Sequence, residues 1–346
     1  MVARSSLAGS FVFPASTVFS NGNMRLISWN ANMAYRKKFG SLEILNPDIV
    51  VVQECERSFF ESRNLPYVWS GKNPHKGLAV YATDSKTSVE LVDMPVSRHM
   101  MPVIYKKDGI DFHILAVWSQ LDPQFPYIEG MRVDLHKYMD FLRYPYSMVV
   151  GDWNSNPKLD EKYGIRKGNK GHIAFADLLL ELGLHSIYHT FNNDVVAGDE
   201  LHPTLFFRRE KERPFHIDYC FASAGLTTAV RSVEVGAFGD WITLSDHMPL
   251  IVDFNTDAIK NMNEEIKWTF AKTYALTAPH EYVLKKDYPD FFEMMRMNIE
   301  KEGVDEQFTL FGETNWYRYI YTDTHRYWIC GDVLNRDSRY GKATEV

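Results

Sequence analysis

The chain has 346 residues, of which 45% are hydrophobic and 24% charged, as in an ordinary soluble globular protein. Its formal net charge of -7 excludes a general attraction to polyanions, so a nucleic acid or phosphorylated substrate would have to meet local basic patches or a bound cation. Three scattered cysteines with no disulfide or metal spacing favour a reducing compartment, and no apolar run is long enough for a membrane span; both predict a cytoplasmic protein.

Residues 1–23 are a mildly apolar lead, which we expect to be disordered, with an N-terminal targeting segment as the weaker alternative. The first two predicted strands follow it. Met24 to Trp29 is an apolar run that ends in Asn30, and Ile49 to Gln53 is a second run that ends next to Glu54. Both patterns are typical of buried strands with polar ends.

The middle of the chain alternates strand and helix patterns, which favours a layered α/β domain with mixed sheets. Four closely spaced strands are expected at Leu78 to Tyr81, Ser88 to Val92, Pro102 to Lys106 and Phe112 to Trp118. After them come a helix over Ile128 to Arg143, a strand over Met148 to Gly151 that leads into Asp152, Trp153 and Asn154, and a helix over His172 to Leu182 that stops at Gly183.

Four more strands are predicted, at Thr204 to Phe207, Phe215 to Phe221, Val230 to Val235 and Leu250 to Phe254. Asp218 lies inside the second of these apolar runs, so we expect its carboxylate to be buried and paired, with His247 as its partner. Asp246 and His247 can share one cleft only if the chain turns between them, since neighbouring strand residues face opposite ways.

Beyond residue 255 the composition changes. Residues 256–266 read as a linker, and residues 267–346 as a small α+β unit of unknown role. That unit would contain a helix over Asp290 to Lys301 and a hairpin of two aromatic strands, Trp316 to Tyr321 and Tyr327 to Cys330.

Taken singly, each polar residue has a plain structural explanation. Asn30 could be a turn residue, Glu54 a surface acid after a buried strand, and Asp152 a helix cap. The basic groups around Arg36, Lys167 and Arg208 could be solvated surface charge. The argument for a functional site therefore depends on the combination of segments.

Five segments in order resemble the endonuclease/exonuclease/phosphatase superfamily, which includes exonuclease III and DNase I: Ser28-Trp29-Asn30, Gln53-Glu54, Gly151-Asp152-Trp153-Asn154, Ile217-Asp218-Tyr219 and Ser245-Asp246-His247. The resemblance covers about Arg25 to Phe254. It implies two mixed β-sheets packed face to face with helices outside, and an active site at one rim of this sandwich.

The resemblance also implies a divalent cation, Mg²⁺ or Mn²⁺, since hard oxygen ligands suit such ions and the ions stabilise charge in phosphodiester cleavage. Glu54 would be the principal ligand, with Asn30 beside it and Asp246 near a second or alternative metal position. Asp152 would orient or deprotonate the attacking water, and Asn154 would hydrogen-bond a phosphate oxygen.

His247 would contact the scissile phosphate as a donor, or act as the base in another version of the mechanism, with Asp218 fixing its tautomer. The sequence departs from the family at Trp118-Ser119-Gln120, where relatives commonly place a His or Tyr that contacts the phosphate. Trp118 and Ser119 are therefore the substrate-binding candidates at this position. No lysine follows Glu54 to help bind phosphate.

The leading hypothesis is a Mg²⁺-dependent nuclease that hydrolyses DNA or RNA. Arg36 and Arg208 lie in basic loops that could line the rim, and Tyr35, Trp118 and Trp153 could offer stacking surfaces for unpaired bases. The alternatives are a phosphatase or phosphodiesterase acting on a small phosphorylated molecule or lipid, and a catalytically inactive binding module of the same fold.

Overall fold

The computed structural model of the protein describes residues 22–121, 127–162, 171–192 and 195–259, together with the backbone of a few strands beyond residue 273. Three predictions lie outside the described residues: the basic group Arg166, Lys167 and Lys170, the helix at 290–301, and nearly all of the N-terminal lead.

Fourteen strands are present between residues 22 and 259, leaving aside the gaps stated above. In chain order they are β1 (Asn23–Asn30), β2 (Ile49–Cys55), β3 (Tyr67–Asn73), β4 (Lys76–Ala82), β5 (Ser88–Leu91), β6 (Met100–Lys107), β7 (Ile110–Trp118), β8 (Ser147–Asp152), β9 (Leu184–Ser186), β10 (Leu205–Phe206), β11 (Pro214–Phe215), β12 (Asp218–Ser223), β13 (Val230–Val235) and β14 (Leu250–Asn255).

Two six-stranded sheets form the body of the molecule, with the orders β13-β14-β1-β2-β4-β3 and β5-β6-β7-β8-β12-β9. Each sheet is mixed, because β1 pairs parallel with β2 and β7 pairs parallel with β8, whereas the other pairings are antiparallel. Strands β10 and β11 form a separate two-stranded ribbon. The predicted fold of two packed mixed sheets is confirmed.

Short helices flank the two sheets: α1 (Phe39–Glu43), α2 (Arg57–Glu61), α3 (Ile128–Asp134), α4 (Met139–Leu142), α5 (Pro157–Lys162), α6 (Gly171–Glu181), α7 (Ile187–Phe191), α8 (Ala224–Thr227) and α9 (Phe238–Trp241). None of the helices in the described part of the chain combines the length and apolarity needed to cross a membrane.

Three apolar clusters hold these layers together. The central cluster joins the facing sides of the two sheets, with Leu26 and Val51 from one sheet and Ala116 and Val150 from the other. The second packs α1, α2 and α9 on the outer face of the first sheet, and the third packs α3, α4 and α6 on the outer face of the second. Alternation of side chains along each strand explains how one strand serves two clusters.

The expected single helix over 128–143 is broken into α3, a 3-10 turn at Leu135–Tyr138, and α4. Its buried residues Leu135, Tyr138 and Phe141 recur every three positions. A three-residue spacing stays on one face only if the winding tightens to about three residues per turn, which is the 3-10 geometry.

Two strands escaped prediction. β3 is an edge strand whose residues are half-buried or exposed, and β9 has only three residues, so neither carries an apolar run. In addition, the predicted strand from Phe215 to Phe221 is divided: Pro214 and Phe215 pair with β10, and the sheet strand begins at Asp218.

Further strands occur beyond residue 273: β15 (Tyr274–Ala275), β16 (Glu306–Thr309), β17 (Trp316–Tyr321), β18 (Arg326–Cys330) and β19 (Thr344–Glu345). β17 and β18 pair antiparallel in the predicted hairpin, β16 adds a third strand, and β15 pairs with β19. The division at residues 256–266 and the role of residues 267–346 stay predictions.

Gly151 allows β7 and β8 to approach closely beside Asp152. Its φ is +145°, and a Cβ atom there would lie 2.0 Å from the Val117 carbonyl oxygen. Only glycine combines this backbone conformation with the absence of a side chain. Glycine is therefore required at position 151 by the packing of β7 against β8, independently of any catalytic role of Asp152.

His172 in α6 packs against Trp153, the residue that follows Asp152. We expect this histidine to make the stability of the protein depend on pH. Burial lowers the pKa of His172 to about 4, whereas an unfolded histidine titrates near 6.5. Acid therefore protonates the unfolded state first, and the free energy of unfolding should fall as the pH decreases from about 6.5 towards 4. The loss attributable to His172 is on the order of 3 kcal/mol.

Urea titrations between pH 4 and 7.5 would test this by comparing His172→Phe with the native chain. The variant should lose part of the slope of stability against pH, while His75→Gln, an exposed control, should keep it. His216 is buried and its pKa is shifted in the same direction, so some slope should persist in His172→Phe. Identical slopes in all three proteins would contradict the assignment.

Candidate active site

The strand faces that line the central cluster become polar at one rim of the sandwich. On β8 the buried Val150 is followed two residues later by Asp152, and β1 runs from Leu26 on the same face to Asn30 at its end. Asp218 lies directly opposite Asp152 in the pairing of β12 with β8. Because alternate residues share a face, these polar groups meet at the mouth of the gap between the sheets.

Asp152 is the most enclosed group of this rim, with 0% of its surface exposed. Its Oδ2 atom accepts hydrogen bonds from Asn30 Nδ2 at 2.9 Å and from Asn154 Nδ2 at 3.0 Å, and its Oδ1 atom accepts one from the Asn154 backbone amide at 2.8 Å. Burial raises the pKa of Asp152 to about 7; the charge of His247 opposes this shift and that of Asp218 adds to it. The carboxyl group is thus held firmly and titrates near neutrality.

The predicted pair of Asp218 and His247 is present. His247 Nδ1 lies 2.9 Å from Asp218 Oδ2, and both side chains are buried. Burial lowers the pKa of His247, but the charges of Asp218 and Asp152 outweigh it and raise the pKa to about 10. The imidazole is therefore a cation that can donate from its second nitrogen.

A network of backbone contacts holds these two residues in place. Thr204 Oγ1 accepts hydrogen bonds from the amides of Ile217 and Asp218 at 2.9 and 3.0 Å. On the other side, Ser245 Oγ donates to the Asn30 carbonyl at 2.7 Å and accepts from the His247 amide at 3.1 Å. The chain turns at this point, as the sequence predicted for adjacent Asp246 and His247.

The histidine backbone is fixed from the first sheet as well. Trp29 Nε1 donates to the His247 carbonyl at 2.9 Å, and His247 forms an isolated antiparallel bridge with Leu205 of β10. A catalytic side chain keeps one orientation during a reaction when several contacts fix its backbone, as these contacts fix His247.

Glu54 sits in a bulge of β2. The register with β4 shifts between Gln53 and Cys55, and Glu54 has a φ of 58°. A bulge re-aims one side chain of a strand, and here it leaves the carboxylate half-buried, with Lys76 Nζ at 3.2 Å from its Oε2 atom. The acid keeps access to solvent while its strand stays buried.

Asp246 is also half-buried and accepts a hydrogen bond on Oδ1 from Asn32 Nδ2 at 2.7 Å. Lys38 binds the carbonyls of Ala31 and Asn32 beside it. Burial lowers the pKa of Lys38, the charge of Arg209 adds to this shift, and the charge of Asp246 opposes it. Lys38 is thus a basic group close to Asp246.

Ligand atoms of Asp152, Asp218 and His247 lie within 4.8 Å of one another, a spacing that could hold a metal ion. The hydrogen bonds argue against these three residues as the main metal ligands, because Asp152 already accepts three hydrogen bonds and His247 Nδ1 is paired with Asp218. Glu54 and Asp246 are more accessible, and their oxygen atoms suit Mg²⁺ or Mn²⁺. The donor chemistry at this rim therefore fits a divalent cation.

Asn154 follows Asp152 with a φ of 48° and is half-buried. Its Nδ2 donates to Asp152 Oδ2 and to the Ser119 carbonyl, both at 3.0 Å. Both amide hydrogens are therefore in use, and Asn154 would have to give up one bond to contact a phosphate oxygen.

Trp118 pairs with Asp152 in the β7 and β8 register and is 7% exposed, with Lys76 Nζ 5.3 Å from the centre of its ring. Ser119 is 1% exposed; its backbone amide donates to the Asp152 carbonyl, and its buried hydroxyl has no partner among the described residues. Trp118 thus lies at the rim, whereas Ser119 supports the strand end through its backbone.

The two predicted arginines lie on loops around the rim. Arg36 is on the 3-10 turn after β1, where its exposed guanidinium pairs with the buried Glu56 at 3.2 Å. Arg208 is exposed on the turn between β10 and β11. The last residue of β10, Phe206, donates a backbone hydrogen bond to the Asp246 carbonyl.

The prediction of Tyr35 and Trp153 as stacking surfaces is wrong. Both side chains are fully buried, Tyr35 under the helices of the first sheet and Trp153 against α6. Trp153 directly follows β8, and the alternation of side chains turns it away from the gap, whereas Tyr35 lies in the 3-10 turn after β1 and packs among Phe39 and Phe59.

Sequence reasoning gave no role to three residues that contact the site, Asn32, Lys76 and Thr204, and it included Lys38 only within the basic group around Arg36. Asn32 follows Asn30 by two residues, and this repeated spacing is the one sequence signal for it. Thr204 lies in the segment His202-Pro203-Thr204, which matches the family only loosely. Lys76 opens β4, which runs antiparallel to β2, so only the sheet topology brings it to Glu54.

Comparisons with known proteins agree with this geometry. A family model described as the Endonuclease/Exonuclease/phosphatase family matches residues 27–247, a range that contains Asn30, Glu54, Asp152, Asp218 and His247. None of the curated proteins that were compared with the chain matches it.

Solved structures with a similar fold include nucleases. The 3'-5' exonuclease NExo from Neisseria meningitidis is 18% identical, with a TM-score of 0.50 over 67% of this chain and 100% of that chain. The 3' phosphatase NExo from Neisseria bound to a product DNA hairpin has 18% identity and a TM-score of 0.49, over 67% and 99% of the two chains.

The endonuclease domain of the telomere-specific non-LTR retrotransposon TRAS1 has 18% identity and a TM-score of 0.48, over 68% and 99% of the two chains. At these identities the likeness concerns the fold.

Proposed function

The chain belongs to the Endonuclease/Exonuclease/phosphatase family, and we propose that it is a metal-dependent phosphodiesterase that hydrolyses DNA or RNA. One observation carries the proposal: Asp152, Asp218 and His247 are buried side by side at the rim where Glu54 and Asp246 present accessible carboxylates. Buried acids in this number need a matched task or a cation, because otherwise their charges repel each other.

In the proposed reaction Asp152 accepts the proton of the attacking water on a carboxylate oxygen. A pKa near 7 suits a base at neutral pH, since the group is then partly ionised and still basic enough to take a proton. Asn30 and Asn154 orient the carboxylate through the hydrogen bonds described above.

His247 donates from its second ring nitrogen to an oxygen of the scissile phosphate. Asp218 accepts the Nδ1 hydrogen, and so fixes the ring and stabilises its positive charge. Asp218 is therefore a positioning residue, which acts through His247.

Glu54, Asn30 and Asp246 are the residues that would hold the divalent cation, which stabilises the negative charge that builds on phosphate oxygens during hydrolysis. Neighbouring cations support a polyanionic substrate. Lys76 lies beside Glu54, and Lys38 lies near Asp246, so positive charge flanks the acids on both sides. Because the formal net charge is -7, attraction of a polyanion has to come from local cations of this kind.

Glu54→Gln is the variant that tests the proposal, with Glu61→Gln as the matched control. Glu61 is exposed and pairs with Arg57 within α2. Calorimetry with Mg²⁺ should show binding to the native chain and to Glu61→Gln. Glu54→Gln should bind about 10–100-fold more weakly, because even residues that only support a ligand have effects of this size.

The same three proteins should be incubated with single-stranded DNA, duplex DNA, RNA and an inositol phosphate, with and without Mg²⁺. Cleavage of a nucleic acid by the native chain, and its loss in Glu54→Gln, is the expected result. Hydrolysis of the inositol phosphate alone would favour the small-molecule alternative. Absence of both metal uptake and hydrolysis would favour an inactive binding module.

A further inference from the structure

A cavity of about 550 Å³ lies beside the candidate active site, between the turn that joins β3 to β4 and the chain before β6. Trp118 and Lys76 belong both to its wall and to the rim described above. Its volume lies within the range of about 300–1,000 Å³ that is usual for small-molecule sites. It is large enough for one nucleotide.

The cavity adjoins the reacting groups directly. Lys76 Nζ is 3.2 Å from the Glu54 carboxylate and 5.3 Å from the centre of the Trp118 ring. Trp118 in turn lies opposite Asp152 in the pairing of β7 with β8. A ligand in the cavity would therefore be a direct neighbour of whatever is bound between Glu54 and Asp152.

The lining combines an apolar floor with positive charge. Val96, which is 38% exposed, and the partly covered ring of Trp118 supply apolar surface, and the buried Met100 and Met101 complete the apolar lining. Lys72, Lys76 and Arg98 supply three cations. No carboxylate lines the cavity among the residues that the structure describes. Such a lining fits a molecule that has both an unsaturated ring and a phosphate group.

Local packing fixes the shape of the cavity in advance. The Trp69 ring lies against two glycines, because an added Cβ atom would be 2.2 Å from the ring at Gly77 and 2.7 Å from it at Gly71. Trp69 Nε1 also donates to the Cys55 carbonyl at 3.2 Å, next to Glu54. The turn between β3 and β4 is thus tied to the bulge that carries Glu54, and a preformed cavity loses little entropy on binding.

We infer that this cavity binds an unpaired nucleotide next to the scissile phosphate, with its ring against the apolar floor and its phosphate near Lys72 and Arg98. The inference rests on the proposed function, because it assigns the substrate class of the same site. A base within a duplex is stacked and paired and would have to be extruded to enter, so the cavity selects single-stranded substrate.

Binding of a dye-labelled oligonucleotide of eight thymidines, followed by fluorescence anisotropy, tests the inference without requiring hydrolysis. The double variant Lys72→Gln/Arg98→Gln should bind about tenfold more weakly. Its slope of log affinity against log salt should be shallower by roughly 0.7, since both cations are assigned to one phosphate and each neutralised phosphate of a single strand contributes about that amount. Ser70→Trp, which places a large ring in the cavity, should also weaken binding.

Lys106→Gln is the charge control, because Lys106 is exposed and pairs with Glu90. Melting temperatures verify that each variant is folded. Equal binding by the native chain and the double variant, or equal weakening in Lys106→Gln, would overturn the inference. So would duplex DNA binding as tightly as the single strand, or inorganic phosphate competing as well as thymidine monophosphate.

A second arm separates this result from the proposed function. Hydrolysis of bis(4-nitrophenyl) phosphate with Mg²⁺ reports on the reacting groups, and this ester contains no nucleotide. If the native chain leaves it and the oligonucleotide intact, the proposed function fails, whatever the anisotropy shows. If hydrolysis occurs but oligonucleotide binding does not depend on Lys72, Arg98 or Ser70, only the assignment of the cavity fails.

Discussion

Replacing Asp152 by asparagine should lower kcat for phosphodiester hydrolysis by about 10²–10⁴-fold, the usual contribution of a general base. Asparagine has a similar shape but cannot take up the proton of the attacking water. It also leaves one oxygen where two now accept hydrogen bonds from Asn30 and Asn154. Single-turnover kinetics at saturating substrate would measure the effect on the chemical step.

Asp140→Asn is the matched control for this experiment, because Asp140 pairs with Arg143 on the surface and its side chain is 91% exposed. Its kcat should equal that of the native chain. An Asp152→Asn protein that kept kcat within threefold would rule out proton transfer to Asp152, and the carboxylate would then be structural.

Asp218→Ala should reduce both turnover and stability. Without Asp218, His247 loses the carboxylate that orients its ring and stabilises its positive charge, which should lower kcat by about 10²–10⁴-fold, because a misoriented or neutral imidazole donates poorly to the phosphate. Removal of one partner of a buried ion pair typically costs about 3–5 kcal/mol in the free energy of unfolding. The 2.9 Å contact and the burial of both groups make this pair a strong case.

A double-mutant cycle separates the two effects. Urea unfolding of Asp218→Ala, His247→Leu and the double variant should show that the double variant loses less stability than the sum of the single ones, because neither charge is then left buried alone. Additive losses would mean that the two residues do not depend on each other. Asp253→Asn, which affects the largely buried pair with Arg25 near the start of β1, serves as a control for turnover.

The sequence indicated most of the groups that form the rim, because polar residues at the ends of buried strands interrupt an apolar pattern. Asp152 and Asp218 illustrate this. Each lies two residues from a buried apolar residue on the same face of its strand, and the pairing of β8 with β12 places the two acids opposite each other. Ordering of the strands was not needed to identify them, since each stands out within its own segment.

The residues that escaped prediction lie where only the tertiary structure brings them. Lys76 contacts Glu54 because β4 runs antiparallel beside β2, and nothing within its own segment distinguishes it from other lysines. Conversely, Tyr35 and Trp153 are close to the motifs in sequence, yet Trp153 faces away from the gap at the end of β8 and Tyr35 packs from a 3-10 turn, so both lie in the outer clusters. A residue's nearness to a motif in the sequence therefore does not show that its side chain lies at the rim, unless the direction of that side chain is known.

The parallel pairing of β1 with β2 and of β7 with β8 indicates where the substrate specificity of this scaffold could be changed. Four segments leave the two sheets at the same edge, and each is anchored by a strand whose register is set elsewhere. Insertions or exchanges after residues 32, 56, 120 or 154 could reshape recognition without disturbing the acids. An engineer seeking a new specificity should therefore randomise those connections and leave the framework untouched.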